Sequence, residues 1–211
     1  DKLLFDEKIP AYQALYEVLA ELKSIDPEIV TFVNPVPVRR DRDLPALRKM
    51  APLVDIWAPK RDVYLPGETG WPYPYGEADK AAGREFFESE RAHGKTLWIY
   101  QCDGPAKRLP PLAYYRSFGW QAWQNHITGL MVWNYNDTAD GRCWSDLKGG
   151  DYTMIYELKY APEHLHADPR ENLIPARRWF AWRTSMQDFM LLEMATTKFG
   201  RSRIFPIAAQ V

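Results

Sequence analysis

Cysteine is scarce in this sequence. Cys102 and Cys143 are the two it contains, too few for a disulfide framework, and they leave the redox compartment open. An excess of charge of either sign is missing too. Lys and Arg number 27 against 28 Asp and Glu, a net charge of -1, so there is no field to draw nucleic acid or an anionic membrane as a partner. No apolar run approaches the roughly 20 residues that a membrane-spanning helix needs. A glycine-rich phosphate loop is lacking, because Asp103-Gly104-Pro105 has no partner glycines. His164 and His166 sit in a polar stretch without a third ligand at zinc spacing. Asp137 to Gly141 resembles the start of a calcium loop, but Ala139 stands where a ligand belongs and the terminal Glu is absent. That segment reads as a turn. Neither a metal nor a cofactor is expected. Internal repeats and low-complexity segments are absent as well, and the chain opens Asp1-Lys2-Leu3 with no Met or leader. It reads as a trimmed chain, so a missing targeting segment carries no information.

What is present is aromatic. Phe, Trp and Tyr make up 14% of 211 residues, with nine Trp and twelve Tyr, and many fall where strands are expected to end. The length suits one sizeable core and is short for two full domains. Leu3 to Phe5 reads as a short buried strand. Pro10 then opens a helix with Tyr12, Leu15, Tyr16, Leu19 and Leu22 on one face, stopped at Asp26-Pro27. Strands are expected at Ile29 to Val33, Val54 to Trp57, Thr96 to Gln101 and Leu130 to Tyr135. Helices fall at Leu44 to Met50, Glu77 to His93, Leu112 to Ile127 and Ile174 to Lys198. Lys60 to Gly76, rich in Pro, Gly and aromatics, reads as a long loop. Residues 137–172 read as irregular, with a short strand at Tyr152 to Tyr156.

Buried strands without alternation, taking turns with helices, indicate a parallel α/β sheet with helices outside. A closed eight-stranded barrel takes about 250 residues. The chain is therefore read as one partial barrel domain over residues 1–211, with five βα units corresponding to strands four to eight. The final long helix closes it.

In such barrels chemistry sits at the C-terminal ends of the strands. Those positions hold Asp6 and Glu7, then Asn34, Trp57, Tyr100 with Asp103, and Trp133 with Asn134, Tyr135, Asn136 and Asp137. Flat C–H faces of a sugar pack on Trp and Tyr, and its hydroxyls pair with Asp and Asn. The set suits a carbohydrate better than a phosphate. A blander role exists for each member. Asp6 or Glu7 can serve as a charge at a helix N-terminus, and any single Trp can be core.

Three segments together resemble the glycoside hydrolase family 123-like barrels, including related bacterial domains of unknown function. They are Leu3-Leu4-Phe5-Asp6-Glu7, then WQAWQNHITGLMVW from Trp120 to Trp133, then RWFAWRTSMQDF from Arg178 to Phe189. The sequence departs from the family at Lys8, Ser185 and Gln187, and the first three strands have no counterpart. The resemblance implies hydrolysis of a 2-acetamido sugar in which the substrate's own acetamido carbonyl attacks the anomeric carbon. By it Glu7 is the general acid/base and Asp6 holds the acetamido N–H. Adjacent carboxylates push their pKa values apart, as one protonated and one charged partner require. Tyr100 and Tyr135 would hold the acetamido oxygen, Trp133 would floor the pocket, and Trp71, Tyr73 and Tyr75 would cover further subsites. Asn34, Trp57, Asp103 and Asn136 complete the expected substrate-binding set. Arg178, Arg183 and Asp188 share no helical face and are expected to be structural.

The leading expectation is a glycoside hydrolase for N-acetylhexosaminides, N-acetylgalactosaminides among them, partnered by a carbohydrate and by the missing first part of its own barrel. A non-catalytic carbohydrate-binding or structural relative is the alternative, and it gains if residues 1–211 are the whole chain. An unrelated α/β barrel enzyme is the third reading. A polysaccharide substrate would favour a location outside the cytoplasm, extracellular or periplasmic.

Overall fold

The computed structural model describes residues 10–35, 38–65, 76–101, 110–132, 153–157, 167–168 and 172–209. The chain is mixed α/β and divides into two compact units, Asp1–Tyr100 and Gln101–Val211.

In the first unit, helix α1 (Pro10–Ile25) buries Tyr12 and Leu19, while Leu22 at its last turn is exposed. Three parallel strands follow in chain order: β1 (Phe32–Val33), β2 (Ile56–Trp57) and β3 (Thr96–Gln101). Phe32 pairs with Ile56 and Ile56 with Thr96; Val33 pairs with Trp57 and Trp57 with Leu97. Because side chains alternate across a strand, Val33, Trp57, Leu97 and Ile99 share one face. All four are buried, and the Trp57 ring meets Phe86 and Phe87 of helix α4 (Glu77–Ala92) edge-on, at 5.4 and 5.9 Å between centroids. The opposite face carries Phe32, Ile56 and Trp98. It is only partly covered, with Phe32 and Trp98 in ring contact at 5.8 Å.

Helix α2 (Asp43–Met50) and a 3₁₀ turn at Ala51–Leu53 lead into β2. At the N-terminal end of that strand Asp55 ties three segments together. Its Oδ2 accepts from Lys23 Nζ at 2.7 Å, from the Thr31 N–H at 2.8 Å and from the Thr31 hydroxyl at 3.0 Å. The segment expected to be loop from Lys60 onward begins instead as a one-turn helix, α3 (Arg61–Tyr64), buried throughout. Proline and glycine downstream dominated the sequence pattern; the residues around Val63 and Tyr64 are apolar enough to seat the turn beneath α4.

In the second unit, a π-helical turn (Pro111–Arg116) runs into α5 (Ser117–Gln124), followed by β4 (Gly129–Val132). β5 (Ile155–Glu157), which overlaps the short strand expected at Tyr152 to Tyr156, forms a small antiparallel pair with β6 (Leu173–Pro175); β6 was not expected, and it delays the last long helix. That helix, α6 (Arg177–Phe199), ends at Gly200, whose φ of +83° favours glycine, and a further helix α7 (Arg201–Ala208) follows. Trp123, Leu192 and Ala208 form a core with Trp120, Phe189 and Ile204 against it. Trp182 turns inward onto Phe118, at 5.6 Å between ring centroids, whereas Phe180 is exposed. α5 and α6 approach closely at Gly119, whose N–H donates to Ser185 Oγ at 2.7 Å. No described helix is long and apolar enough to cross a membrane.

Candidate functional site

Of the residues expected at the strand ends, Asp6, Glu7, Asp103, Trp133, Tyr135 and Asn136 lie outside the described residues, as do Trp71, Tyr73 and Tyr75. The three that are described occupy different surroundings. Asn34, just past β1, is exposed. Trp57 is 0% exposed; its register turns it to the helix side of the sheet, where its indole N–H donates to Glu90 Oε2 at 3.3 Å. It is thus a core residue under α4, not part of a surface over the strand ends. Tyr100 is 2% exposed and lies on the opposite face, with Trp98.

Sequence reasoning passed over the residues that sit beside Tyr100. The pairing of β2 with β3 continues to an isolated parallel bridge between Lys60 and Tyr100, and the Tyr100 N–H donates to the Pro59 carbonyl at 3.1 Å. There, at the C-terminal end of β2, Lys60 Nζ lies 3.0 Å from Asp62 Oδ2 with side chains 1% and 2% exposed, and Arg61 is 1% exposed. Three consecutive charged residues buried at a strand end are costly to desolvate. The available signal was a Lys-Arg-Asp run placed directly after a buried strand and a proline.

α3 is held rigidly beneath this corner. The Tyr64 hydroxyl donates to Glu88, which also accepts from Arg91, its Nε at 3.0 Å. The Arg84 guanidinium stands over the Tyr64 ring at 5.4 Å. Burial first, and then the bond to Glu88, push the Tyr64 phenol up. For Glu88, burial acts to raise the carboxyl, but the bonds from Tyr64 and Arg91 outweigh it and hold it below the usual range. Asp55, at the other end of β2, follows the same balance: burial raises it, and Lys23 and Thr31 together bring it lower.

In the second unit the family-like arginines and aspartate have structural partners. Buried Arg178 donates to the Thr153 carbonyl and, at 2.7 Å, to the Tyr156 hydroxyl. Asp188 accepts from Arg116 Nε at 2.7 Å and from Trp120 Nε1 at 2.9 Å. These bonds outweigh the upward push of burial and hold its carboxyl below the usual range. Arg183 stands over the exposed Phe180 ring at 5.5 Å. The two tryptophans of the WQAW motif therefore divide their work. Trp120 fastens Asp188, and Trp123 forms the core beneath Arg201, which stacks at 4.1 Å and donates to the Trp123 carbonyl. Among the described residues no group of three or more His, Cys, Asp or Glu is placed to hold a metal ion.

The arrangement has a solved counterpart. What the two share is the fold. It is similar to that of a family 123 glycoside hydrolase from Clostridium perfringens, a structure described in connection with glycolipid glycan hydrolysis, at 11% sequence identity and a TM-score of 0.52. The likeness covers 89% of this chain and 36% of that one, so the chain spans about a third of its counterpart's length. No family profile and no curated protein matches the chain.

Proposed function

We propose that this chain is the catalytic-pair-bearing part of a glycoside hydrolase that cleaves N-acetylhexosaminides with retention, using the substrate's acetamido group. The observation that carries this reading is the glycosidase-like fold over 89% of the chain, together with an aromatic-Asp-Glu sequence at Phe5-Asp6-Glu7. In the proposed reaction the acetamido carbonyl oxygen attacks the anomeric carbon while Glu7 protonates the departing oxygen. Asp6 accepts from the acetamido N–H and offsets the positive charge of the oxazolinium. Water then attacks the anomeric carbon from the face the leaving oxygen left, opening the oxazolinium as Glu7 takes its proton. Tyr100 and Tyr135 hold the acetamido oxygen, Trp133 supports the sugar face, and Asn34, Asp103 and Asn136 pair with hydroxyls. The glycan of a glycolipid is the first natural substrate class to try, and further βα units are the expected partner that completes the barrel.

The test is hydrolysis of chromogenic N-acetylgalactosaminide and N-acetylglucosaminide by the full-length protein. Release of the chromophore that disappears in Glu7→Gln supports the reading. A folded protein that binds these sugars without cleaving them supports the carbohydrate-binding alternative instead.

A further inference from the structure

We propose that Lys60, held beside Asp62, is a positioning residue whose charge polarises the Tyr100 phenol. The catalytic consequence of this rests on the glycosidase reading; the pairing itself does not.

Three observations lead to it. First, the register set by Ile56 with Thr96 and Trp57 with Leu97 runs on unchanged to Lys60 with Tyr100. Directly paired residues on neighbouring strands project to the same side, with backbones roughly 5 Å apart. Lys60 and Tyr100 therefore stand next to one another on the face opposite Trp57. Second, the Lys60 and Asp62 side chains are buried at 3.0 Å. An ion pair in such a place is a poor source of stability, because the desolvation it demands rivals the attraction it gains. This one stands at the carboxyl end of the strands, where open α/β sheets bind their ligands. Third, the corner is rigid. The Lys60 carbonyl accepts from the N–H groups of Val63 and Tyr64 at 3.0 and 3.3 Å, and α3 is clamped to α4 through Tyr64, Glu88 and Arg91.

An ammonium beside a phenol favours charge building on the phenol oxygen, which makes its O–H a stronger hydrogen-bond donor. Asp62 keeps that ammonium from turning away. A donor of this kind suits an acceptor oxygen that gains charge as the sugar reacts.

The experiment combines a spectroscopic and a kinetic arm in the full-length protein. With 3-fluorotyrosine incorporated, the Tyr100 resonance is assigned by its loss in Tyr100→Phe. It is expected to move in Lys60→Met and in the apolar double variant Lys60→Met/Asp62→Leu, and to return toward the wild-type position in Lys60→Arg. A resonance that stays fixed in all three overturns the proposal. On chromogenic N-acetylhexosaminides, Lys60→Met is expected to lower kcat/KM about 10-fold when Tyr100 is present, and less than about 2-fold in Tyr100→Phe. Losses that simply add overturn the proposal. If the wild type cleaves none of these sugars, the glycosidase reading fails, and the fluorine resonance alone decides whether Lys60 acts on Tyr100.

Discussion

Asp6 and Glu7 are neighbours in sequence with different proposed tasks, and their amides separate those tasks. Glu7→Gln removes the proton donor and is expected to cut turnover by about 100-fold or more, the usual size of a lost general acid. Asp6→Asn is expected to harm acetamido substrates more than analogues lacking that group, as the ratio of the two kcat/KM values will show. If both variants cleave at the wild-type rate and only melt lower, the pair is a helix cap, worth roughly 1 kcal/mol. At this scale the sequence was readable in part. Asn34 and Tyr100 were placed at the ends of β1 and β3, but Trp57 was assigned to the wrong side. β2 has only two residues, Ile56 and Trp57, too few for a pattern that tells which one faces the helices. Lys60 and Asp62 escaped notice because a charged triplet before a Pro-Gly-rich stretch looks like solvent-exposed loop. Their burial follows from long-range pairing with β3, which no local pattern encodes.

Among the elements, the amphipathic helices α1, α2 and α4 were legible from their periodicity, and β3 was found to the residue. Of the small β5–β6 pair, β6 was missed because Leu173–Pro175 runs without a break into the helical pattern of α6. The crossing of α5 and α6 yields a sharp prediction. A Cβ added to Gly119 would sit 2.3 Å from the Ser185 carbonyl oxygen, and that oxygen belongs to helix backbone. Gly119→Ala is therefore expected to destabilise by about 1–3 kcal/mol or more in urea unfolding. Ser185→Ala leaves the buried Gly119 N–H without its acceptor and is expected to cost about 1–3 kcal/mol. A wild-type midpoint for Gly119→Ala would show that the two helices lie further apart than described.

For the whole molecule, the parallel α/β class and the long C-terminal helix could be read from alternating buried runs, and the solved counterpart agrees at the level of fold. Its acid sensitivity follows from three carboxylates. Asp55, Glu88 and Asp188 are each held below their ordinary values by the hydrogen bonds they accept. The stability they contribute is fully present above the unfolded value of about 4 and is lost as pH falls through the lower folded values. Asp43 works the other way. Burial raises its carboxyl against the N–H of Arg39 and the charge of Arg42, so its contribution is present in acid and lost as pH rises. The melting temperature is expected to fall below about pH 4, with a shallower fall in Asp55→Asn and in Asp188→Asn. An acid limb unchanged in both variants would remove these carboxylates as its cause.

The knot of Lys23, Thr31 and Asp55 lies at one end of β2, and the Lys60–Asp62 corner at the other. A strand this short makes the two ends near neighbours, yet they do different things, because one fastens α1 and β1 and the other stands beside Tyr100. Variants at the knot should move the melting temperature with little change in rate, whereas the apolar double variant at the corner, which leaves no unpaired charge, should lower the rate. Thermal tolerance in this protein can then be tuned at the knot without retuning its chemistry.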